Sequence, residues 1–404
     1  ALIAQAAAAN ANLRAASARV RQADARARIA HAGLLPQVDL TGNAARIRGR
    51  SDGQSLRETD WSALLSASYE VDFWGARQAA ASSASDSLRA GRADRDALAL
   101  TVNAGIANTY FAVQALRERL SLAEATLDVA RRVLAVLESR HAAGAGDAIA
   151  VATQRALLAN AELALPALRQ QEIEARGALA LLVGHEPEGF EVATRPLASL
   201  TEPEVSPGLP AELLQRRPDL QSAEAALRAA HADVTVARAA LFPSLTLTAS
   251  GGVQNPGVQA ALVTLAGTGN SLTLGAGLLQ SVFDGGRRRA LRDEAAAREE
   301  ELLAGYRGAI IAALLDVESA LSAIRNLEAQ RVAQDESLAQ SLRAFQGAQA
   351  RYTAGSGDYL TLLDAQRSLT AAREQRLQYT LARLQARLGL CKALGGGWTR
   401  PATP

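Results

Sequence analysis

The stretch Ala350–Gln366, ARYTAGSGDYLTLLDAQ, decides the fold, because Ser139–Arg155, SRHAAGAGDAIAVATQR, repeats its pattern. In both stretches an arginine precedes a turn broken by glycines, and an aspartate closes the turn. One constant offset pairs Arg140 with Arg351, Gly144 with Gly355, and Asp147 with Asp358. Self-similarity at a fixed offset indicates a repeated structural unit. The chain is therefore predicted to contain two copies of one design.

The repeat extends through most of the chain. Leu13–Thr41 aligns with Leu220–Thr248, and FWGAR from Phe73 aligns with FDGGR from Phe283. Each copy has a helical segment, two alternating segments, a long helical pattern, the glycine turn and a second helix. The predicted boundaries are residues 1–184 for the first copy, 185–210 for a linker, 211–394 for the second copy and 395–404 for a C-terminal tail.

Four segments alternate apolar and polar residues with a period of two, which is typical of a β-strand. The clearest is Trp61–Phe73, WSALLSASYEVDF. Each segment is about ten residues or longer, enough to cross a bilayer when tilted. A soluble sheet packed on a helical core is the alternative, but the polar face is as continuous as the apolar one, which favours a water-filled barrel. The predicted strands cover about 36–47, 61–73, 243–253 and 271–283.

Four strands are too few to close a barrel around a channel. A sheet in lipid must close, because an open edge leaves backbone groups without hydrogen-bond partners. The sequence therefore predicts that several chains each contribute four strands to one barrel. Aromatic residues of the second strand and the following turn are candidates for the girdle at the membrane interface: Trp61, Tyr69, Phe73 and Trp74.

Two long segments without proline follow the strand pairs. From Val113 to Leu137, apolar residues are spaced by alternating threes and fours, which indicates a heptad seam and coiled-coil packing. At 1.5 Å per residue, a helix over residues 76–141 would be about 100 Å long. The predicted long helices cover about 76–141 and 286–354, and their returning helices cover about 148–184 and 358–394.

Charge and cysteine content exclude several classes of protein. The net charge is +2, so the chain lacks the basic excess of a nucleic-acid-binding protein, and no nucleic-acid partner is expected. The single cysteine, Cys391, excludes an internal disulfide and a cysteine-based zinc site. The sequence has no run of about 18 apolar residues, so no membrane-spanning helix is predicted. We expect any export signal to lie upstream of Ala1.

No catalytic motif is found. The sequence has no HExxH pair, no GxSxG elbow and no phosphate loop. We therefore predict that the protein is not an enzyme and has no cofactor or metal site. A soluble coiled-coil scaffold is the other alternative; it would explain the heptads but not the four two-faced strands. The histidines are scattered without ligand spacing: His31, His141, His185 and His231.

Two motifs carry a resemblance to a known family. LPAELLQRRPDLQSAEAALRAAHADVTVARAALFPSLTL, from Leu209, and RYTAGSGDYLTLLDAQRSLTAA, from Arg351, are similar to segments of the outer membrane factor family. These TolC-like outer membrane efflux proteins of Gram-negative bacteria include a lipoprotein, multidrug-pump subfamily (OprM-like, NodT-type), which the chain resembles most.

The resemblance implies a mixed α and β fold. As a homotrimer, the chain would form a 12-stranded β-barrel in outer-membrane lipid above an α-helical coiled-coil tunnel in the periplasm. Residues 185–210 and 395–404 would form an equatorial belt, and a lipid anchor would precede Ala1. The duct would export drugs or other toxic compounds passively, with a periplasmic adaptor (membrane fusion) protein and an inner-membrane pump as partners.

The resemblance also places both glycine turns at the periplasmic tip, where the adaptor makes contact. Four glycines are expected to supply the positive φ that each reversal needs: Gly144, Gly146, Gly355 and Gly357. Asp147 and Asp358 follow directly, where each can cap the N-terminus of a helix.

A gate is implied near the second turn. In the family, the position of Asp364 faces the pore axis, and that of Leu360 forms an apolar constriction. Three carboxylates on an axis raise one another's pKa and attract cations, while an apolar ring can block a pore by dewetting. Arg155, Arg351 and Tyr352 are candidate polar links between helix pairs. The alternative is an ordinary exposed acid and a packed leucine.

Overall fold

The computed structural model describes residues 1–51, 54–201, 216–254 and 269–396. The first half contains α1 (Leu2–Ala9), α2 (Ala11–Ala32), β1 (Gln37–Ser51), β2 (Gln54–Val71), α3 (Ala76–Ala142) and α4 (Ala148–Val183). A short 3-10 turn, Leu197–Ser199, follows. The second half contains α5 (Pro218–Ala239), β3 (Ser244–Gln254), β4 (Gly269–Leu279), α6 (Arg287–Thr353) and α7 (Tyr359–Ala393).

The four strands form one antiparallel sheet in the order β1-β2-β3-β4. Because β2 and β3 belong to different sequence copies, their pairing joins the two copies. A side chain at Gly252 of β3 would place its Cβ 2.3 Å from the carbonyl oxygen of Ala63, so only glycine fits at this crossing.

Strand ends differ from the sequence-based boundaries in two places. The β1–β2 hairpin is paired as far as Ser51 and Gln54, beyond the predicted limits of about 47 and 61, because backbone pairing continues where the alternation of side chains has stopped. Conversely, β4 ends at Leu279 and not near residue 283. Leu279 lies opposite Ser244, which follows Pro243, a residue without an N–H to continue the ladder.

The chain divides into two compact units that do not coincide with the sequence copies. The helical unit comprises Ala1–Ser17, Asp94–Leu220 and Ala309–Pro404; the sheet unit comprises Ala18–Ala93 and Gln221–Gly308. Each unit takes segments from both copies, so neither copy is a separate domain. Among the helices of the described residues, none is long and apolar enough to cross a membrane.

Within the sheet unit, both strand-to-helix junctions use the same contacts. Asp72 accepts hydrogen bonds from the backbone N–H groups at the start of α3, and Asp284 does so at the start of α6. Arg77 Nη1 donates to the carbonyl of Gly33 at 2.6 Å, and Arg288 Nη1 donates to that of Ala240 at 2.6 Å. These contacts satisfy the free amides of each long helix and tie it to the end of the preceding helix.

Candidate gate at the glycine turns

The two glycine turns have matching geometry. Gly144 and Gly355 adopt φ of 73° and 78°, the left-handed region that favours glycine. Gly146 and Gly357, which were expected to share this role, lie outside that region. Their requirement is space, since a Cβ on Gly146 would lie 2.6 Å from the backbone nitrogen of His141.

An aspartate caps the helix after each turn. Asp147 Oδ1 accepts from the N–H of Ile149 at 2.9 Å. Asp358 accepts from both the N–H and the hydroxyl of Thr361, at 2.8 and 2.7 Å. These two hydrogen bonds, the backbone one foremost, hold the pKa of Asp358 below its usual value. Both caps satisfy amides that the first turn of a helix leaves free.

Four helices pack together beside the turns. Their shared apolar core takes two or more buried side chains from each helix: Val133 and Leu137 of α3, Ala150 and Val151 of α4, Phe345 and Tyr352 of α6, and Leu362 and Leu369 of α7. The two helix pairs are therefore one packed body at this end of the helical unit.

Beside the turns, polar contacts of two kinds join the helix pairs of one chain. Arg140 Nη2 donates to the carbonyl of Tyr352 at 2.8 Å, and its guanidinium lies 4.6 Å from the centre of the Tyr352 ring. The Tyr359 hydroxyl donates to Oε1 of the fully buried Gln154 at 2.9 Å, and Gln154 Nε2 donates to the carbonyl of Ala130. Burial raises the pKa of Tyr359, so its hydroxyl keeps the proton that it donates.

Within one chain, one of the three residues that the sequence suggested lies at these links, together with residues that it did not suggest. Of the three candidates, Tyr352 lies at the contact between the pairs. Arg155 instead pairs with Glu138 of its own helix pair at 2.7 Å. Arg351 closes the second turn through its carbonyl, which accepts from Ser356 and Gly357, and its side chain is exposed. Arg155 is thus not a link between the pairs within one chain.

Arg140, Gln154 and Tyr359 were missed by sequence reasoning. The repeat does mark Arg140, since it is the counterpart of Arg351, but nothing local shows that it reaches α6. Gln154 and Tyr359 carry no sequence signal for a contact between helices that lie far apart in the chain.

Leu360 and Asp364 occupy one exposed face of α7, one helical turn apart. Leu360 is 68% exposed, and Asp364 is also exposed. The opposite face of the same helix is buried by the chain itself, at Leu362, Leu363 and Leu369. A large apolar side chain and a carboxylate therefore point away from the packed core side by side.

The candidate girdle aromatics lie in the sheet unit, at two levels. Trp61 of β2 is 41% exposed, and Tyr69, eight residues further along the strand, is half-buried. Phe73 and Trp74 lie beyond the end of β2. Trp74 stacks on Phe242 with ring centres 4.5 Å apart, and its Nε1 donates to the carbonyl of Pro243 at 2.8 Å.

No cluster of three histidine, cysteine or acidic side chains that could hold a metal occurs in the part of the chain that the structure describes.

Comparison with known proteins gives one consistent family. The family model described as outer membrane efflux protein matches residues 2–185 and 209–396. The pyoverdine export outer membrane protein OpmQ of Pseudomonas aeruginosa is 48% identical over 379 residues, which cover 92% of this chain and 79% of OpmQ. The cation efflux system protein CusC of Escherichia coli O6:H1 is 31% identical over 398 residues, covering 98% and 85% of the two chains.

A solved structure gives the same result at the level of the fold. The open state of the MtrE outer membrane channel of Neisseria gonorrhoeae aligns with a TM-score of 0.87 and 30% identity, over 100% of this chain and 90% of MtrE. The predicted fold class is confirmed, since long helices and four antiparallel strands also characterise the TolC-like channels, which are trimeric barrels. The chain belongs to the outer membrane efflux protein family and serves as an export channel.

Proposed function

We propose that a homotrimer of this chain is the exit duct of a tripartite pump, gated at the glycine turns by Leu360 and Asp364. The observation that carries this proposal is the exposed pair itself. The chain forms a four-helix core beside the turns, yet leaves a leucine and a carboxylate together on one exposed face of α7. Threefold symmetry would bring three copies of each side chain to the axis.

Each layer would act differently on a solute. A narrow ring of three leucines favours expulsion of water, which stops ions from crossing. A ring of three carboxylates attracts cations, and their mutual repulsion disfavours the state in which all three are charged. The gate would therefore combine a physical barrier with a preference for cations.

The links between the helix pairs would hold this gate closed. Widening the tip requires α6 and α7 to move relative to α3 and α4. The Arg140–Tyr352 and Gln154–Tyr359 contacts oppose that movement. Since both contacts are at least partly buried, losing either one leaves polar groups without partners, which costs free energy.

The glycine turns would be the contact for a periplasmic adaptor, which in turn joins the duct to an inner-membrane pump. Gly144, Asp147, Gly355 and Asp358 are all exposed at the end of the four-helix core. We place the barrel in the outer membrane and the helical unit in the periplasm, with Trp61 and Tyr69 at opposite membrane interfaces.

The proposed cargo is pyoverdine or a compound of similar chemistry. Two relatives named for pyoverdine export, from Pseudomonas aeruginosa and Pseudomonas putida, are 48% and 43% identical to this chain. Relatives named for cation or toluene efflux are 31–32% identical. The chain should restore pyoverdine release to a P. aeruginosa strain without OpmQ. If the chain instead restores resistance to metal cations or toluene and does not restore pyoverdine release, the proposed cargo is wrong.

Single-channel conductance tests the gate. Purified wild-type trimer in a planar bilayer should show a small, flickering conductance, and Leu360→Ala combined with Asp364→Ala should make it large and steady. Val332→Ala with Glu336→Ala is the matched control, because it removes an exposed apolar and acidic pair at the same spacing on α6. A wide-open wild type, or equal effects of both double variants, would contradict the gate.

A further inference from the structure

The exposed face of α7 continues beyond the candidate gate as a line of uncharged residues. We call it the neutral stripe; its members are Ala371, Gln375, Gln378, Gln385 and Gly389, all exposed. Successive members are four, three, seven and four residues apart, so they lie on one side of the helix. The same spacing leads back through the exposed Arg367 to Asp364 and Leu360, so the stripe begins beyond the charged residues of the tip and lies in line with the proposed gate.

The charged residues of the same part of α7 are directed elsewhere. Glu374 lies 2.7 Å from Arg119 of α3, and Arg376 binds Asp335 of α6 at 2.5 Å. Arg383 and Arg387 are half-buried and also have interaction partners. Beyond Arg367, which is exposed beside the candidate gate, these charged side chains therefore face neighbouring helices and not the stripe.

The exposed face of α4 is apolar, whereas that of the neutral stripe on α7 is polar. On the apolar line of α4, four large side chains are between 53% and 75% exposed in the single chain: Ile149, Leu163, Ile173 and Leu181. Such a line is stabilised by being covered when copies assemble. Burying a glutamine amide without a partner has the opposite effect and costs free energy. The neutral stripe is therefore suited to remain in water after assembly.

We propose that the neutral stripe lines the tunnel beyond the gate, as an uncharged, hydrogen-bonding wall that leaves charge selection on this face of α7 to the tip. This inference rests on the proposed duct. Glutamine amides both donate and accept hydrogen bonds, so they can replace water around a polar solute. The wall suits polar, hydrogen-bonding cargo of either charge.

Cysteine accessibility tests the position of the stripe. In a Cys391→Ala background, Gln375→Cys and Gln378→Cys trimers in a planar bilayer are treated with a cationic and an anionic methanethiosulfonate. Both reagents should reduce the conductance. Their rates should agree within about threefold, because no fixed charge on the stripe attracts either one. Ala156→Cys, on the apolar line of α4, is the control and should show no change in conductance.

Added charge tests the wall a second way. Gln378→Glu should shift the reversal potential in a KCl gradient towards cation selectivity, whereas Gln378→Asn, which stays neutral at the same position, should leave it unchanged. Both variants are polar substitutions at one exposed site, so a difference in folding is not expected to separate them.

Two results would overturn the proposal while leaving the duct intact. In one, wild-type channels form and the gate variant opens them, but the cysteine variants of the stripe do not respond. In the other, one reagent reacts more than about tenfold faster than the other, which would show a charged wall. A complete absence of channels in the wild type would instead contradict the proposed duct itself.

Discussion

The helices α4 and α7 share one design but expose different surfaces. They contain 36 and 35 residues, and each follows a glycine turn and an aspartate cap. The exposed line of α4 is apolar, whereas that of α7 carries Asp364 and glutamines. Turn and cap are what either helix needs in order to fold. The exposed face is where the copies diverged, since one face is apolar and the other is polar.

The buried faces of the two helices differ as well. Gln154 of α4 is fully buried, and both ends of its amide have partners. Gln366 of α7 is 4% exposed, and neither atom of its amide has a hydrogen-bond partner among the described residues. One buried glutamine therefore stabilises the tip, while the other costs free energy where it lies.

Charging the apolar line of α4 should have the largest effect. We expect Leu163→Asp to abolish the trimer, because a carboxylate in an apolar helix contact loses its water without gaining a partner. The matched change Gln378→Asp, on the wet face of α7, should leave the trimer intact. Light scattering after size-exclusion chromatography in detergent measures both. A Leu163→Asp trimer would show that this line is not an interface between copies.

The buried glutamines should respond in opposite directions to the same substitution. Gln154→Leu leaves the Tyr359 hydroxyl without its acceptor and should reduce the free energy of unfolding by about 2 kcal/mol. Gln366→Leu removes an amide that has no partner, so stability should stay constant or rise. Thermal unfolding of the detergent-solubilised protein compares the two. A similar loss for both variants would mean that Gln366 is also paired, for example through a buried water.

The C-terminal ends of the two helices provide a third contrast. α4 ends at Val183 and is capped by Gly184, whose φ is 86° and whose N–H donates to the carbonyl of Ala180. At the end of α7, Arg217 donates to the carbonyl of Ala393 at 3.2 Å and also binds Asp219 and Asp316. Both ends are closed by backbone hydrogen bonds, but the end of α7 is also bound by a side chain from the residue before α5.

Removing that arginine should destabilise the helical unit by about 1–2 kcal/mol, since the lost hydrogen bonds are charged but partly solvated. Arg228→Ala, which breaks the exposed pair with Glu224, is the control and should cost less than about 0.5 kcal/mol. The Arg217 hydrogen bond also lowers the pKa of Asp219. The Arg217–Asp219 contact therefore stabilises the protein above the pKa that Asp219 has in the unfolded chain, and this stabilisation is lost as the pH falls through the lower pKa of the folded state. Equal losses for Arg217→Ala and Arg228→Ala would contradict this role.

Most of the fold could be predicted because its signals are local. Period-two alternation, heptad spacing and glycine turns each depend on residues close together in the chain, and they locate the elements to within a few residues. The start of β2 at Gln54 was missed because it depends on pairing with β1 and not on its own pattern.

The candidate site was less predictable, since its contacts depend on tertiary packing. Arg155 and Arg140 are both arginines near the first turn, yet only Arg140 reaches the second helix pair. No local pattern separates them, because the reach of a long side chain depends on which helix lies opposite. The same applies to Gln154 and Gln366, whose difference lies entirely in their neighbours.

The smallest expected difference concerns the caps. Asp358→Ala should lower the thermal midpoint more than Asp147→Ala, because Asp358 binds both the N–H and the hydroxyl of Thr361, while Asp147 binds one N–H. The lowered pKa of Asp358 gives this effect a pH dependence. A carboxylate with a depressed folded pKa stabilises above its unfolded pKa, and that contribution disappears as the pH falls through the folded pKa. Midpoints measured from neutral pH to about pH 3 should therefore converge for wild type and Asp358→Ala. A gap that stays constant with pH would mean that the Asp358 side chain acts through its shape and not through its charge.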